Sequence, residues 1–175
     1  MKFPLSLLFF LSFLSACKNS SPETVSSGTG SDTTSVKAEP KAISDPLITA
    51  IYTADPSAHL FDGKIYIYPS HDYEAGVPQD DLGSHFAMKD YHILSMDSIG
   101  GAVTDHGVAL ALGDIPWAGR QLWAPDAAFT NGKYYLYFPA KDKQDIFRIG
   151  VATSTSPSGP FKAEASPIKG SYSID

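Results

Sequence analysis

A single cysteine stands in the 175 residues, which excludes an intrachain disulfide framework and any cysteine-built zinc cluster. Basic charge is also scarce. Thirteen Lys and Arg against 19 Asp and Glu leave a formal charge of −6, which argues against the basic face a nucleic-acid binder needs. No glycine loop of the Walker or dinucleotide type is present, and no Gly-x-Ser-x-Gly elbow. The five histidines, His59, His71, His85, His92 and His106, follow no zinc-ligand spacing, so no metal site is expected from them.

One long apolar run exists, and it lies at the amino end. Met1-Lys2 opens with a positive charge, and residues 3–14 are too short for a membrane span but suit a signal-peptide core. The run ends in Leu14-Ser15-Ala16-Cys17, which resembles a bacterial lipobox, with Cys17 as the lipidated first residue of the mature chain. Residues 1–16 are therefore expected to be a lipoprotein signal peptide. Residues 17–44 comprise Cys17 and a Ser-, Thr-, Gly- and Pro-rich tether without hydrophobic period, expected to stay disordered. Such a tether reaches roughly 5–6 Å × √n for n residues, so it would hold a domain tens of ångströms from the lipid. The expected location is outside the cytoplasm, lipid-anchored to a bacterial membrane on its periplasmic side or at the cell surface.

Residues 45–175 read as the folded part. Aromatic content there suits an all-β domain, whether the rings stack on sugars or simply fill a core. The chain repeats itself. Tyr52-Thr53-Ala54-Asp55-Pro56-Ser57-Ala58, the turn Asp62-Gly63 and the strand Lys64 to Tyr68 come first. Trp123-Ala124-Pro125-Asp126-Ala127, the turn Asn131-Gly132 and the strand from Lys133 follow at a constant offset. Pro56 meets Pro125, Gly63 meets Gly132, and Tyr66 and Tyr68 meet Tyr135 and Tyr137. Hairpin-based repeats of this length suggest blades of a β-propeller.

Within the first copy, strands are expected at 58–61, 64–69, 90–96 and 103–108, with 47–52 a short strand or extended lead-in. Residues 71–89 form a long polar loop of the kind that often carries function. Residues 114–122 read as a connection to the second copy. Residues 168–175 start a third, with Asp175 about where Asp55 stood. The chain is thus expected to be an incomplete, N-terminal part of a propeller: about two blades and the start of another.

A carboxylate recurs near the head of each copy: Asp55, Asp126 and Asp175. The register is imperfect, since Asp55 precedes its proline and Asp126 follows its own. Inner strands of a propeller line one axis, so acids at their ends converge. Two carboxyl groups about 6.5–9.5 Å apart are what inverting glycoside hydrolysis needs, one activating water and one protonating the leaving oxygen. Ala54-Asp55-Pro56-Ser57, Asp62-Gly63-Lys64, Leu122-Trp123-Ala124-Pro125-Asp126 and Ser173-Ile174-Asp175, in that order, resemble glycoside hydrolase family 43. The resemblance implies a five-bladed propeller acting on arabinose- and xylose-containing glycans with inversion. It implies Asp55 as general base and Asp175 as the aspartate that raises the pKa of the general acid. The family's general acid is a glutamate on a later blade, and no residue of this chain matches it, so this chain alone is expected to be inactive.

Trp123, Asp126 and His71 are the candidate substrate contacts, with Asp72 beside His71 at the pocket rim. His59 reads as a satisfied core histidine and Arg120 as a surface ion pair. The expected partners are an oligo- or polysaccharide and, through the lipid alone, a membrane. No cofactor is expected; an axial calcium occurs in the family, and no ligand for it can be assigned here. The alternative function is a non-catalytic carbohydrate-binding propeller lipoprotein.

Overall fold

The computed structural model describes residues 44–81 and 83–172. The expected signal peptide, Cys17, the tether as far as residue 43, and Asp175 lie outside the described residues.

Two hairpin-based antiparallel sheets follow one another. β1 (Ser57–Phe61), β2 (Lys64–Tyr68), β3 (Asp90–Met96) and β4 (Thr104–Ala111) pair in sequence order. The β1–β2 turn places Asp62 at φ 51° and Gly63 at φ 77°, the doubly left-handed geometry of a two-residue hairpin turn. The second sheet holds β5 (Ala118–Leu122), β6 (Asp126–Thr130), β7 (Lys133–Asp142), β8 (Phe147–Ser154) and β9 (Lys162–Ala163). Its path β6-β7-β8-β9 repeats β1-β2-β3-β4, and its first turn, Asn131-Gly132, repeats the left-handed pair. Among the described residues the only helical element is a 3-10 turn at Leu112–Asp114.

The structure departs from the sequence expectation in two places and decides between alternatives in a third. Of the two alternatives for residues 47–52 the structure has the lead-in, through bends and without a strand, and Ile48 packs with Ile65 and Val103 on the Ile67, Leu94 and Met96 cluster of the first sheet. The fourth strand runs on to Ala111. The 114–122 stretch, expected as a connection, contains β5. The reason lies in β7, which is ten residues long while β6 pairs with it only over residues 133–137. The rest of that edge must satisfy its backbone groups, and β5 does so with two register shifts. Its sequence, Ala-Gly-Arg-Gln-Leu, has neither alternation nor β-branched residues to announce a strand.

The core lies where the sheets meet. Along β7, Tyr134, Leu136, Phe138 and Ala140 alternate inward, and Tyr91 and Ile93 of β3 join the same buried cluster, the Tyr91 and Phe138 rings 6.0 Å apart. Each large apolar side chain fully buried there contributes about 1.5–3 kcal/mol. The inner strands β1 and β6 lie side by side. The Phe61 ring meets Tyr134 edge-on at 5.1 Å, and the Tyr134 hydroxyl donates to Asp62 Oδ2 at 2.9 Å. This seam aligns the starts of β1 and β6 at one end of the molecule.

Candidate active site

The site begins with an irregularity before β1. Pairing with the β2 side continues past Ser57: the Ser70 N–H donates to Ala54 O and the Asp72 N–H to Tyr52 O, each at 2.9 Å. Ser57 faces Tyr68, so the ladder resumes one residue out of step, and the extra residue is taken up at Asp55-Pro56. Pro56 has no N–H to leave unpaired. Asp55 sits at φ 45°, a left-handed conformation that Asp and Asn tolerate better than other non-glycine residues. Bulges of this kind re-aim side chains and cluster beside active sites. The exposed Asp55 carboxylate has no hydrogen-bond partner among the described residues.

The same slip occurs in the second sheet. The Trp123 N–H donates to Pro139 O at 3.0 Å, Leu122 faces Ala140, and Asp126 faces Tyr137, so the extra residue falls at Trp123-Ala124-Pro125. The two bulges share one cavity of about 190 Å³, whose lining includes Asp55, Ser70, Asp72, Phe86, Trp123 and Ala124. Mostly apolar walls with a few convergent polar groups are the usual makeup of a small-molecule site. The Ser70 hydroxyl donates to Asp72 Oδ1 at 2.7 Å and fixes that carboxylate.

The aromatic wall is held from behind. The Gln121 side chain, 2% exposed, donates from Nε2 to Gly83 O (2.5 Å) and Phe86 O (2.9 Å), pinning the 71–89 loop to β5. Phe86 then meets the Trp123 indole edge-on at 5.0 Å, and Phe147 does so from another side at 5.6 Å. Gly83 has φ 67°, and a Cβ there would stand 2.7 Å from the indole Cη2. Only glycine lets the loop approach so closely. From β3, the Tyr91 hydroxyl donates to Trp123 O at 2.6 Å; burial pushes that phenol well up, so it stays protonated as a donor.

Of the residues singled out in the sequence, Asp55 and Trp123 line this cavity together, with Asp72. Asp126 does not line it. Superposing Pro56 on Pro125 puts Asp55 at Ala124 and Asp126 at Ser57, so the second acid lies two residues further on, already inside β6. Its Oδ1 binds His59 Nε2 at 2.7 Å and the Ala127 N–H at 2.8 Å, a tie between the two inner strands. Burial pushes the Asp126 carboxyl up, but those hydrogen bonds outweigh it and hold the group below the usual carboxylate range. His71 also turns elsewhere: its buried ring holds Asp90. Arg120 forms a two-pronged ion pair with Asp145 at 2.6 and 2.9 Å. Gln121, Gly83 and Phe86 carried no motif in the sequence. The only pointer to Gly83 and Phe86 was their place in a long loop.

The profile of Glycosyl hydrolases family 43 matches residues 43–175, and the chain belongs to that family. Its all-β fold is part of the β-propeller of those enzymes. The chain is 64% identical over 132 residues to Xylosidase/arabinosidase 43A of Humicola insolens, covering 74% of this chain and 40% of the relative. It is 62% identical over 130 residues to a Xylosidase/arabinosidase of Bacteroides ovatus, again covering 74% and 40%. A solved family-43 beta-xylosidase/alpha-arabinofuranosidase from a compost microbial metagenome, in complex with xylotriose, superposes with a TM-score of 0.73 at 76% identity. That match covers 75% of this chain and 40% of the solved one. The chain thus spans about 40% of the length of the curated relatives it matches.

Proposed function

We propose that the protein carrying this chain is a glycoside hydrolase of xylosyl or arabinofuranosyl linkages in plant-type polysaccharide, working with inversion, and that Asp55 is its general base. The observation that carries this reading is Asp55 itself: a carboxylate without a hydrogen-bond partner among the described residues, aimed by a left-handed bulge at the edge of a cavity walled by Trp123 and Phe86. Relatives named for xylosidase and arabinosidase activity, and a neighbour solved with xylotriose, support the substrate class. In the proposed step Asp55 takes a proton from water, and the water oxygen attacks the anomeric carbon. The leaving oxygen is protonated by a general acid that no residue of this chain matches, with Asp175 raising that acid's pKa. The indole of Trp123 would stack on a sugar face. A cavity of about 190 Å³ is smaller than the ~300–1,000 Å³ of drug-sized sites, which suits one sugar ring. Export and lipid anchoring at Cys17 complete the proposal.

The test is an assay of the full-length protein on aryl β-xyloside and aryl α-arabinofuranoside, with the anomer first released read by NMR. The expected result is hydrolysis of at least one, with the anomeric configuration inverted. Xylotriose binding without hydrolysis of either would overturn the enzyme reading in favour of a carbohydrate-binding propeller.

A further inference from the structure

Two of the histidines that showed no ligand spacing along the chain, His71 and His92, meet in space. His71 follows the end of β2, and His92 and Asp90 stand at the start of β3, antiparallel to it. One potential ligand atom from each lies within 4.8 Å of the others. Asp90 Oδ1 is 2.5 Å from His71 Nδ1 and 4.0 Å from His92 Nε2. All three side chains are largely shielded, 8%, 18% and 15% exposed for His71, Asp90 and His92.

The hydrogen bonding sets the tautomer of His92. Its Nδ1 lies 3.0 Å from both oxygens of Asp105, so Nδ1 carries the proton and Nε2 of the neutral ring keeps its lone pair. That lone pair looks across 4.0 Å at Asp90 Oδ1, beyond hydrogen-bond range. Two acceptors facing each other across a gap, one of them oriented from behind by a carboxylate, is the environment of a bound cation. A carboxylate on the far nitrogen of a ligating imidazole is the usual outer-shell partner.

We propose that His71, Asp90 and His92 form a binding site for a divalent transition metal of the Zn²⁺ class, with Asp105 orienting His92. Tetrahedral zinc, with bonds of about 2.0–2.1 Å, spaces its ligand atoms about 3.3 Å apart. To meet that, the Asp90–His71 pair opens and the Asp90–His92 pair closes by less than about 1 Å each, and the two imidazoles, within 4.8 Å, close by up to about 1.5 Å. Two imidazoles select borderline metals over calcium, which takes oxygen ligands. The site also has a structural consequence. His71 and Asp90 stand at the two ends of the loop that carries Asp72 and Phe86 to the cavity, so the metal clips that loop at its base.

The test treats the full chain with chelator, then measures Zn²⁺ uptake by equilibrium dialysis with elemental analysis, and Co²⁺ binding by visible absorption. The wild type is expected to take up one Zn²⁺ per chain, displaceable by Co²⁺ and not by Ca²⁺, with a raised melting temperature. His92→Gln is expected to lose that ion and the Co²⁺ bands. Asp105→Asn keeps all three ligands and is expected to bind about 10–100-fold more weakly, so it reads the site even where His92→Gln is unstable. His106→Gln, which removes a ring bonded to Ser95, is expected to change nothing. No uptake by the wild type, uptake unchanged in both His92→Gln and Asp105→Asn, or Co²⁺ bands showing thiolate ligation by Cys17 would each overturn the proposal.

Discussion

At the scale of single residues, the candidate site depends on groups that never touch its cavity. Gln121 holds a left-handed backbone, φ 51°, so that its buried amide can reach two carbonyls of a loop far away in sequence. Replacing it with alanine leaves the carbonyls of Gly83 and Phe86 without that donor. Gln121→Ala is expected to cost about 1–3 kcal/mol, measured by urea unfolding, and to lower affinity for substrate as the aromatic wall loosens. Gly150 is a tightly packed position in the second sheet, away from the cavity. A Cβ there would stand 2.5 Å from the Phe138 ring and 2.7 Å from that of Trp117. Gly150→Ala is therefore expected to destabilise the second sheet by about 1–3 kcal/mol, read from the shift of the denaturation midpoint.

At the scale of elements, β7 organises its sheet, and its far turn carries a pH signature. The buried Asp142 ends β7. Its carboxylate accepts from Arg148 Nε at 2.8 Å and from the Gln144 and Ile146 N–H groups at 2.9 and 3.0 Å. The Arg148 bond first, then the Ile146 amide, hold this carboxyl below the usual carboxylate range. A depressed folded-state value means that the stabilisation is complete above the unfolded-chain value of about 3.9 and is lost as pH falls through the folded one. Asp142→Asn is expected to lower the melting temperature at pH 7 and to flatten its fall below about pH 4. A mutant whose acid limb matched the wild type would refute this. The hairpins around β7 were legible in the sequence because Asp62-Gly63 and Asn131-Gly132 are chemically demanding turns. β5 was not, because its backbone is drawn into a ladder by the spare edge of β7 and not by its own side chains.

At the scale of the molecule, two sheets meet with their inner strands aligned, and matching bulges bring Asp55 and Trp123 to one cavity. The repeat made the architecture and this pairing legible, since equal offsets along the chain become equal places in successive sheets. For Asp126 a two-residue offset from the bulge turns the acid toward His59 and the Ala127 N–H. The His71, Asp90 and His92 cluster stayed hidden because strand pairing, not spacing, assembles it. The proposed anchor belongs to this scale too: Cys17→Ser is expected to move the protein from the membrane fraction to the soluble one on fractionation. The central claim is that the bulge, and not the repeat as such, selects the base. The measurement that tests it most directly is steady-state hydrolysis of an aryl glycoside by Asp55→Asn and Asp126→Asn in the full-length protein. Asn tolerates the left-handed backbone, so Asp55→Asn is expected to fold, to keep binding xylotriose and to lose about 10²–10⁴-fold in kcat. Asp126→Asn is expected to keep most of its turnover. Near-normal kcat in Asp55→Asn, with the large loss falling on Asp126→Asn, would contradict the account.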